Sequence, residues 1–286
     1  SPQTADDSAV TFTVAADTTL YPFHIVGVKA QTAPFDFVEG ELDSRANAVV
    51  RVELAMNDSD KTFSKLAIDE VDLFLGGDHI SAGRFSESLF SQLVNIQVSD
   101  GTGASLGLLE ADQLRTRAFD EDFCFLPTDR NSYLGIQLIR EFFLYPAKHG
   151  FVRLTGIGSA MRNCHAARLT LDFFLGNLSA REVRAVSSTS FQLNCMPVIN
   201  LFSTRSEPIQ YDHVSVRVPV FAEAVSAGAK KISRITKLYE ITPQGEVEVP
   251  QLYNFSHEIG VPTMSWESLR RLNEDGVHGH QVALAW

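Results

Sequence analysis

Residues 48 to 56 read Ala-Val-Val-Arg-Val-Glu-Leu-Ala-Met, and the run stops at Asn57-Asp58. Val50, Val52, Leu54 and Met56 share one face, with Arg51 and Glu53 on the other. Strict alternation sorts side chains to the two sides of a strand, and a helix cannot reproduce that sorting. The pattern recurs. Val10 to Val14 alternates with Thr, and Leu20 to Val28 is apolar and rich in β formers. Val71 to Leu75 halts at Gly76-Gly77-Asp78, and strand patterns return at Phe151 to Leu154 and Arg168 to Leu175. His213 to Val220 places Val214, Val216, Val218 and Val220 on one face. Ile232 to Ile241 and Glu246 to Val249 form a hairpin pattern about Pro243-Gln244-Gly245, and Gln281 to Trp286 reads as a last strand. A chain so punctuated folds mainly as sheets.

Helical spacing is the exception. Ser86 to Val94 carries Leu89, Phe90 and Leu93. Ser132 to Phe143 carries Leu134, Leu138, Ile139 and Phe142, with Ser132 available as N-cap and Tyr145-Pro146 as the stop. The expected class is α+β, mostly β: two β-rich subdomains with a few short helices, residues 1–190 and 191–286. The chain lacks an initiator Met and its last residues read as mid-strand, so it is expected to be part of a longer protein.

With 286 residues and 44% hydrophobic content, the chain can bury a substantial core. Its net charge of −11 opposes binding to nucleic acid or anionic lipid, and the cations at Lys230, Lys231, Arg234 and Lys237 look like one solvated strand face. No apolar run reaches the ~18 residues of a membrane span, so direct membrane insertion is not expected. Phe occurs 20 times, a supply suited to a sheet core or to partner contacts. Cys124, Cys164 and Cys195, odd in number and widely spaced, suit buried reduced thiols rather than a disulfide framework.

Searches for chemistry return little. Cys164-His165 and His278-Gly279-His280 have no established metal-ligand spacing, and adjacent residues rarely aim at one ion. Asp212-His213 lacks a nucleophile on a strained turn. Gly101-Thr102-Gly103 and Gly156-Ile157-Gly158 lack a third glycine and a helix to follow, and read as turns. Asp120-Glu121-Asp122 lacks the calcium-loop spacing and reads as a solvated loop. No catalytic residue, cofactor or metal is expected. The residues alone describe a β-rich binding or structural domain, and a β-sandwich that binds carbohydrate or peptide is the alternative reading.

Two stretches narrow this. The first runs Phe191-Gln192-Leu193-Asn194-Cys195-Met196-Pro197-Val198-Ile199-Asn200-Leu201-Phe202, followed by Glu207-Pro208-Ile209 and Asp212-His213. The second comprises Phe119-Asp120-Glu121-Asp122, Phe125-Leu126-Pro127 and Arg140 to Phe151, where His149-Gly150 adds length between Lys148 and Phe151. Together with Val71 to Asp78, these blocks resemble the TssF (VasA/ImpG) family of the type VI secretion baseplate, over roughly residues 18–286. The resemblance implies a cytoplasmic structural subunit of a baseplate assembled at the inner membrane. In it two TssF copies join one TssG to form a wedge, with TssK and TssE as neighbours. The family brings no catalytic residues. Phe191, Leu193, Asn194, Pro197, Asn200, Leu201, Phe202, Glu207, Pro208, Asp212 and His213 are expected to serve fold or interface. Phe191, Leu193, Pro197, Leu201 and Phe202 are expected to be largely buried, with the two Asn amides satisfying backbone groups beside the proline break.

Overall fold

Alternation at 48–56 becomes a nine-residue strand with the expected bounds, buried at Val50, Val52, Leu54 and Met56. The computed structural model describes residues 4–5, 8–9, 11–36, 44–77, 79–127, 133–212, 214–215, 217–222, 232–252, 264–272 and 278–285. The chain forms two units, one of residues 14–199 and one of residues 1–13 with 200–286. Sequence reading set the division at 190. Phe191 nevertheless belongs to the larger unit, because its ring lies in that unit's core.

The larger unit holds strands β1 (Phe23–Thr32), β2 (Ala48–Met56), β3 (Val71–Leu75), β4 (Leu93–Asp100), β5 (Ser105–Glu110), β6 (Leu114–Thr116), β7 (Phe151–Leu154), β8 (Arg168–Leu175) and β9 (Phe191–Gln192). Its helices are α1 (His79–Gln92), α2 (Leu134–Leu144), α3 (Gly158–Asn163) and α4 (Ala180–Ala185). One sheet is five-stranded in the order β1-β2-β8-β4-β5, and the other is four-stranded in the order β9-β3-β7-β6. Every neighbouring pair in both is antiparallel. Register stacks Leu171 between Val52 and Val98, and Phe173 between Val50 and Ile96. These side chains join Val71, Leu73, Leu75, Val152, Leu154 and Phe191 of the second sheet in one core. Each such large apolar side chain contributes about 1.5–3 kcal/mol by leaving water.

The second sheet's outer face is not bare. Phe74 and Phe151 lie there with ring centroids 4.8 Å apart, and Phe123 and Phe125 cover Phe151 at 5.1 and 6.3 Å. Residues 117–127 and 133–150 thus form a third layer, and α2 belongs to it. Gly150 makes this closeness possible: a Cβ there would sit 2.8 Å from the Leu75 carbonyl oxygen and from the Phe74 ring.

The smaller unit pairs β10 (Arg217–Pro219), β14 (His278–Ala285) and β13 (Ser265–Leu272) in that order, beside the hairpin β11 (Leu238–Thr242) and β12 (Gly245–Val249). Among the described residues its core is small, built on Val249, Trp266 and Val282. The Trp266 indole N–H donates to the Val249 carbonyl at 2.9 Å.

Several expectations needed correction. The first helix begins at His79 rather than Ser86, and Leu93-Val94 open a strand instead of closing the helix. Among the described residues of the expected valine strand from 213 to 220, 217–219 is strand and Val214 is exposed; His213 and Val216 lie outside the described residues. A valine stripe needs a buried face to organise it, and the core formed by the described residues of this unit supplies little. A six-residue helix does follow Gly156-Ile157-Gly158, too short for helical spacing to reveal. Ser132 lies outside the described residues, and Tyr133 precedes α2 without a side-chain cap.

Candidate assembly surface

The signature segment crosses from one unit to the other. Phe191 is buried, stacked on Phe173 at 5.1 Å and edge-on to Phe85 at 5.5 Å. Leu193 is half-buried against the same core. Asn194 adopts a φ of 57°, a left-handed conformation that Asn tolerates better than most residues. Its side chain grips the Tyr21 backbone, accepting from N–H at 2.7 Å and donating to C=O at 3.2 Å. Pro197 is buried, and its carbonyl accepts from the Ala15 N–H at 3.0 Å.

Past the proline break the pattern changes. Asn200 is exposed, and its side chain makes no hydrogen bond among the described residues. Leu201 is half-buried, its carbonyl accepting from the Thr13 hydroxyl at 2.6 Å. Phe202 is 38% exposed, against the expectation of burial, because the chain has left the larger core by this point. Glu207 donates its backbone N–H to the Phe221 carbonyl at 2.9 Å, and Pro208 is exposed. The Asp212 carboxylate accepts from the N–H groups of Val214 at 2.9 Å and Ser215 at 2.8 Å, and from the Ser215 hydroxyl at 2.8 Å. Led by the Ser215 amide, these bonds hold its carboxyl down to about 2. His213 lies outside the described residues.

The most unusual surface is α2, which is inverted. Its buried residues are Gln137 and Glu141, whereas Ile136, Ile139, Phe142, Phe143 and Leu144 are exposed, as is Tyr133 before it. Helical spacing had placed Ile139 and Phe142 with Leu134 and Leu138 on one apolar face. Only Leu134 and Leu138 are part-buried. The inversion has a cause. Glu141 Oε1 accepts from the Phe125 N–H at 2.9 Å and the Leu126 N–H at 2.7 Å, and Gln137 Nε2 donates to the Leu126 carbonyl at 2.8 Å. Lys148 Nζ donates to Glu141 Oε2 from a site only 1% exposed, with its ammonium 5.3 Å from the Phe125 ring centre. Burial alone would raise the Glu141 carboxyl, but the Leu126 amide, Lys148 and Gln137 more than offset it and hold it below the usual range. These buried polar groups need one another, so they fix which side of α2 faces inward.

Aromatic rings extend the outward side. His149 sits edge-on to Phe142 at 4.9 Å and to Phe119 at 5.8 Å, and Phe119 is itself exposed. Burial first, and then the neighbouring Lys148 charge, push the His149 imidazole down and keep it neutral. Sequence reading missed the buried trio of Gln137, Glu141 and Lys148. Its trace was an apolar pattern too wide for a single stripe.

Elsewhere charge is paired. Arg153 forks onto Asp72 at 2.6 and 2.8 Å, Arg117 reaches the same carboxylate at 2.9 Å, and the Asp72 N–H donates to the Tyr21 hydroxyl at 2.8 Å. Arg117 also lies 3.5 Å from Asp120 and 3.6 Å from Asp122, so the acidic loop is tied down rather than merely solvated. A cleft of about 350 Å³ lies over the outer face of the five-stranded sheet, lined by Arg51, Glu53, Gln97, Asp100, Arg168 and Asp172. Its central charges already satisfy each other, Arg51 forking onto Asp172 with both contacts at 2.7 Å. No cluster of His, Cys, Asp and Glu suited to a metal occurs among the described residues. Among them no helix is long and apolar enough to cross a membrane. Burial pushes all three cysteine thiols up, which disfavours the reactive thiolate.

The sequence model of the family described as "Type VI secretion system, TssF" matches residues 1–285. The chain belongs to the TssF family. It is 30% identical over 216 residues to the type VI secretion system component TssF1 of Pseudomonas aeruginosa, a match covering 74% of this chain and 34% of that protein. It also superimposes on a chain of the type VI secretion TssK-TssF-TssG baseplate subcomplex solved by cryo-electron microscopy, with a TM-score of 0.74 at 16% identity. That likeness of fold covers 98% of this chain and 51% of the other. This TssF-family chain therefore spans about a third of the curated relative and half of the solved one.

Proposed function

We propose that this chain is a structural module of a type VI secretion baseplate wedge, which assembles with TssG and supports sheath and tube assembly around the spike. The role is scaffolding rather than catalysis. TssK, TssE and a second copy of the subunit are its other neighbours, in a cytoplasmic baseplate built at the inner membrane.

The observation that carries this reading is the inverted helix α2. A buried Glu141–Lys148 pair is held in place while Ile136, Ile139 and Phe143 face outward. A monomer gains nothing by that arrangement, whereas an assembly subunit gains a contact face. Within the signature, Phe191, Leu193, Asn194 and Pro197 maintain the fold of the larger unit. Asn200 and Pro208 are exposed and available to partners.

The test is co-expression of the full-length protein with TssG from the same bacterium, followed by native mass spectrometry. A complex containing both subunits is expected. Separate elution at micromolar concentration would count against the scaffold role.

A further inference from the structure

The outward side of α2 has a pattern that narrows what can lie on it. Tyr133, Ile136, Arg140 and Phe143 recur at three- and four-residue steps and form one stripe, with Ile139 and Leu144 flanking it. Tyr133 and Phe143 are each 75% exposed, Ile139 is 62% and Ile136 is 58%. Arg140 lies at the middle of the stripe and forms no ion pair among the described residues. The stripe itself contains no carboxylate, since Glu141 points inward and is consumed by Lys148 and two backbone amides. Aromatic and branched apolar residues around a single Arg, without Lys or Glu, are the composition of a subunit interface centre.

Two neighbours fit this stripe badly. In a second copy docked helix to helix, Arg140 would approach its own equivalent with no acidic group to separate them, a like-charge contact that disfavours pairing. A flat lipid surface would suit the apolar residues, but the chain's net charge of −11 repels anionic headgroups. A helix with apolar residues at matching steps fits along the ridge, and its one carboxylate would meet Arg140.

We infer that the outward face of α2 docks an amphipathic helix of a different subunit, apolar along the contact and carrying one Asp or Glu opposite Arg140. The inference rests on the scaffold role proposed above and deepens it by naming the surface and the chemistry of what covers it. The buried Glu141–Lys148 pair is the positioning device: it prevents the helix from rolling its apolar side inward when no partner is present.

The experiment uses the full-length protein co-expressed with TssG and TssK. Three variants are compared with wild type: Ile139→Glu with Phe143→Glu, Arg140→Glu, and a photo-crosslinking amino acid at position 139. The docking face predicts an unchanged melting temperature for both charge variants and at least a tenfold loss of co-purified partner. It also predicts crosslinks to a helical segment of another subunit that bears a carboxylate, and recovery of Arg140→Glu when that carboxylate is changed to Arg. Crosslinks to the same polypeptide, or a large fall in melting temperature, would show that the protein covers α2 itself and would overturn the inference. Crosslinks to α2 of a second copy, or to a segment without a carboxylate, would overturn it too, as would full retention of partners by both charge variants. Should wild type itself fail to bind TssG or TssK, the scaffold role falls along with the inference. Retention by variants of a complex that wild type does form removes the docking face alone.

Discussion

At the residue scale the larger unit depends on a few side chains whose loss leaves something stranded. Truncating Glu141 to Ala would leave the Lys148 ammonium buried without its counter-charge and two backbone amides without an acceptor. Removing one partner of such a pair costs about 3–5 kcal/mol, and thermal unfolding of Glu141→Ala should show a correspondingly lower midpoint. The pair also makes a pH signature. Because the folded Glu141 carboxyl lies below its ordinary value of 4.5, its contribution is fully present well above that value and fades as pH falls through the folded one. The stability gap between wild type and Glu141→Gln should therefore narrow on acidification, measured by denaturant titration from neutral pH downward; a gap independent of pH would deny the charge its role. Phe191→Ala tests the core instead. Emptying that site between Phe173 and Phe85 should cost about 3–5 kcal/mol, read as a fall in the denaturation midpoint.

At the element scale the same helix that is fixed inside by polar bonds should be indifferent outside. Ile139→Ser or Phe143→Ser should change the stability of the isolated protein by no more than about 0.5 kcal/mol, which calorimetry can check. What the sequence shows about an element depends on which rule governs it. Strands Ala48–Met56, Val71–Leu75, Phe151–Leu154 and Arg168–Leu175 were legible to the residue: one buried face enforces alternation along most of the first two, and the other two are short apolar, β-rich runs. Strand Ser105–Glu110, with Gly107 at φ 158° and Leu108 exposed, breaks that alternation and was invisible. Helix α2 was legible as a helix but not in its orientation. Helical periodicity reports which residues share a face, whereas the inward choice was made by Leu126 and Lys148, outside the helix. The candidate surface was legible only as a family block, without its mechanism.

At the scale of the whole molecule, the chain forms two units. The larger packs two sheets around one core and carries α2. Among the described residues the core of the smaller is built on Val249, Trp266 and Val282. Membership of the TssF family and a fold like that of a chain in a TssK-TssF-TssG subcomplex agree with the scaffold role proposed above, and the inverted helix supplies a surface for it. The most direct test is made in living cells. A bacterium carrying Ile139→Glu with Phe143→Glu in its chromosomal copy would be imaged with a fluorescent sheath subunit, with abundance of the variant followed by immunoblot. Normal abundance with sheath foci lost is the predicted result. Normal abundance with foci as frequent as in wild type would contradict the account.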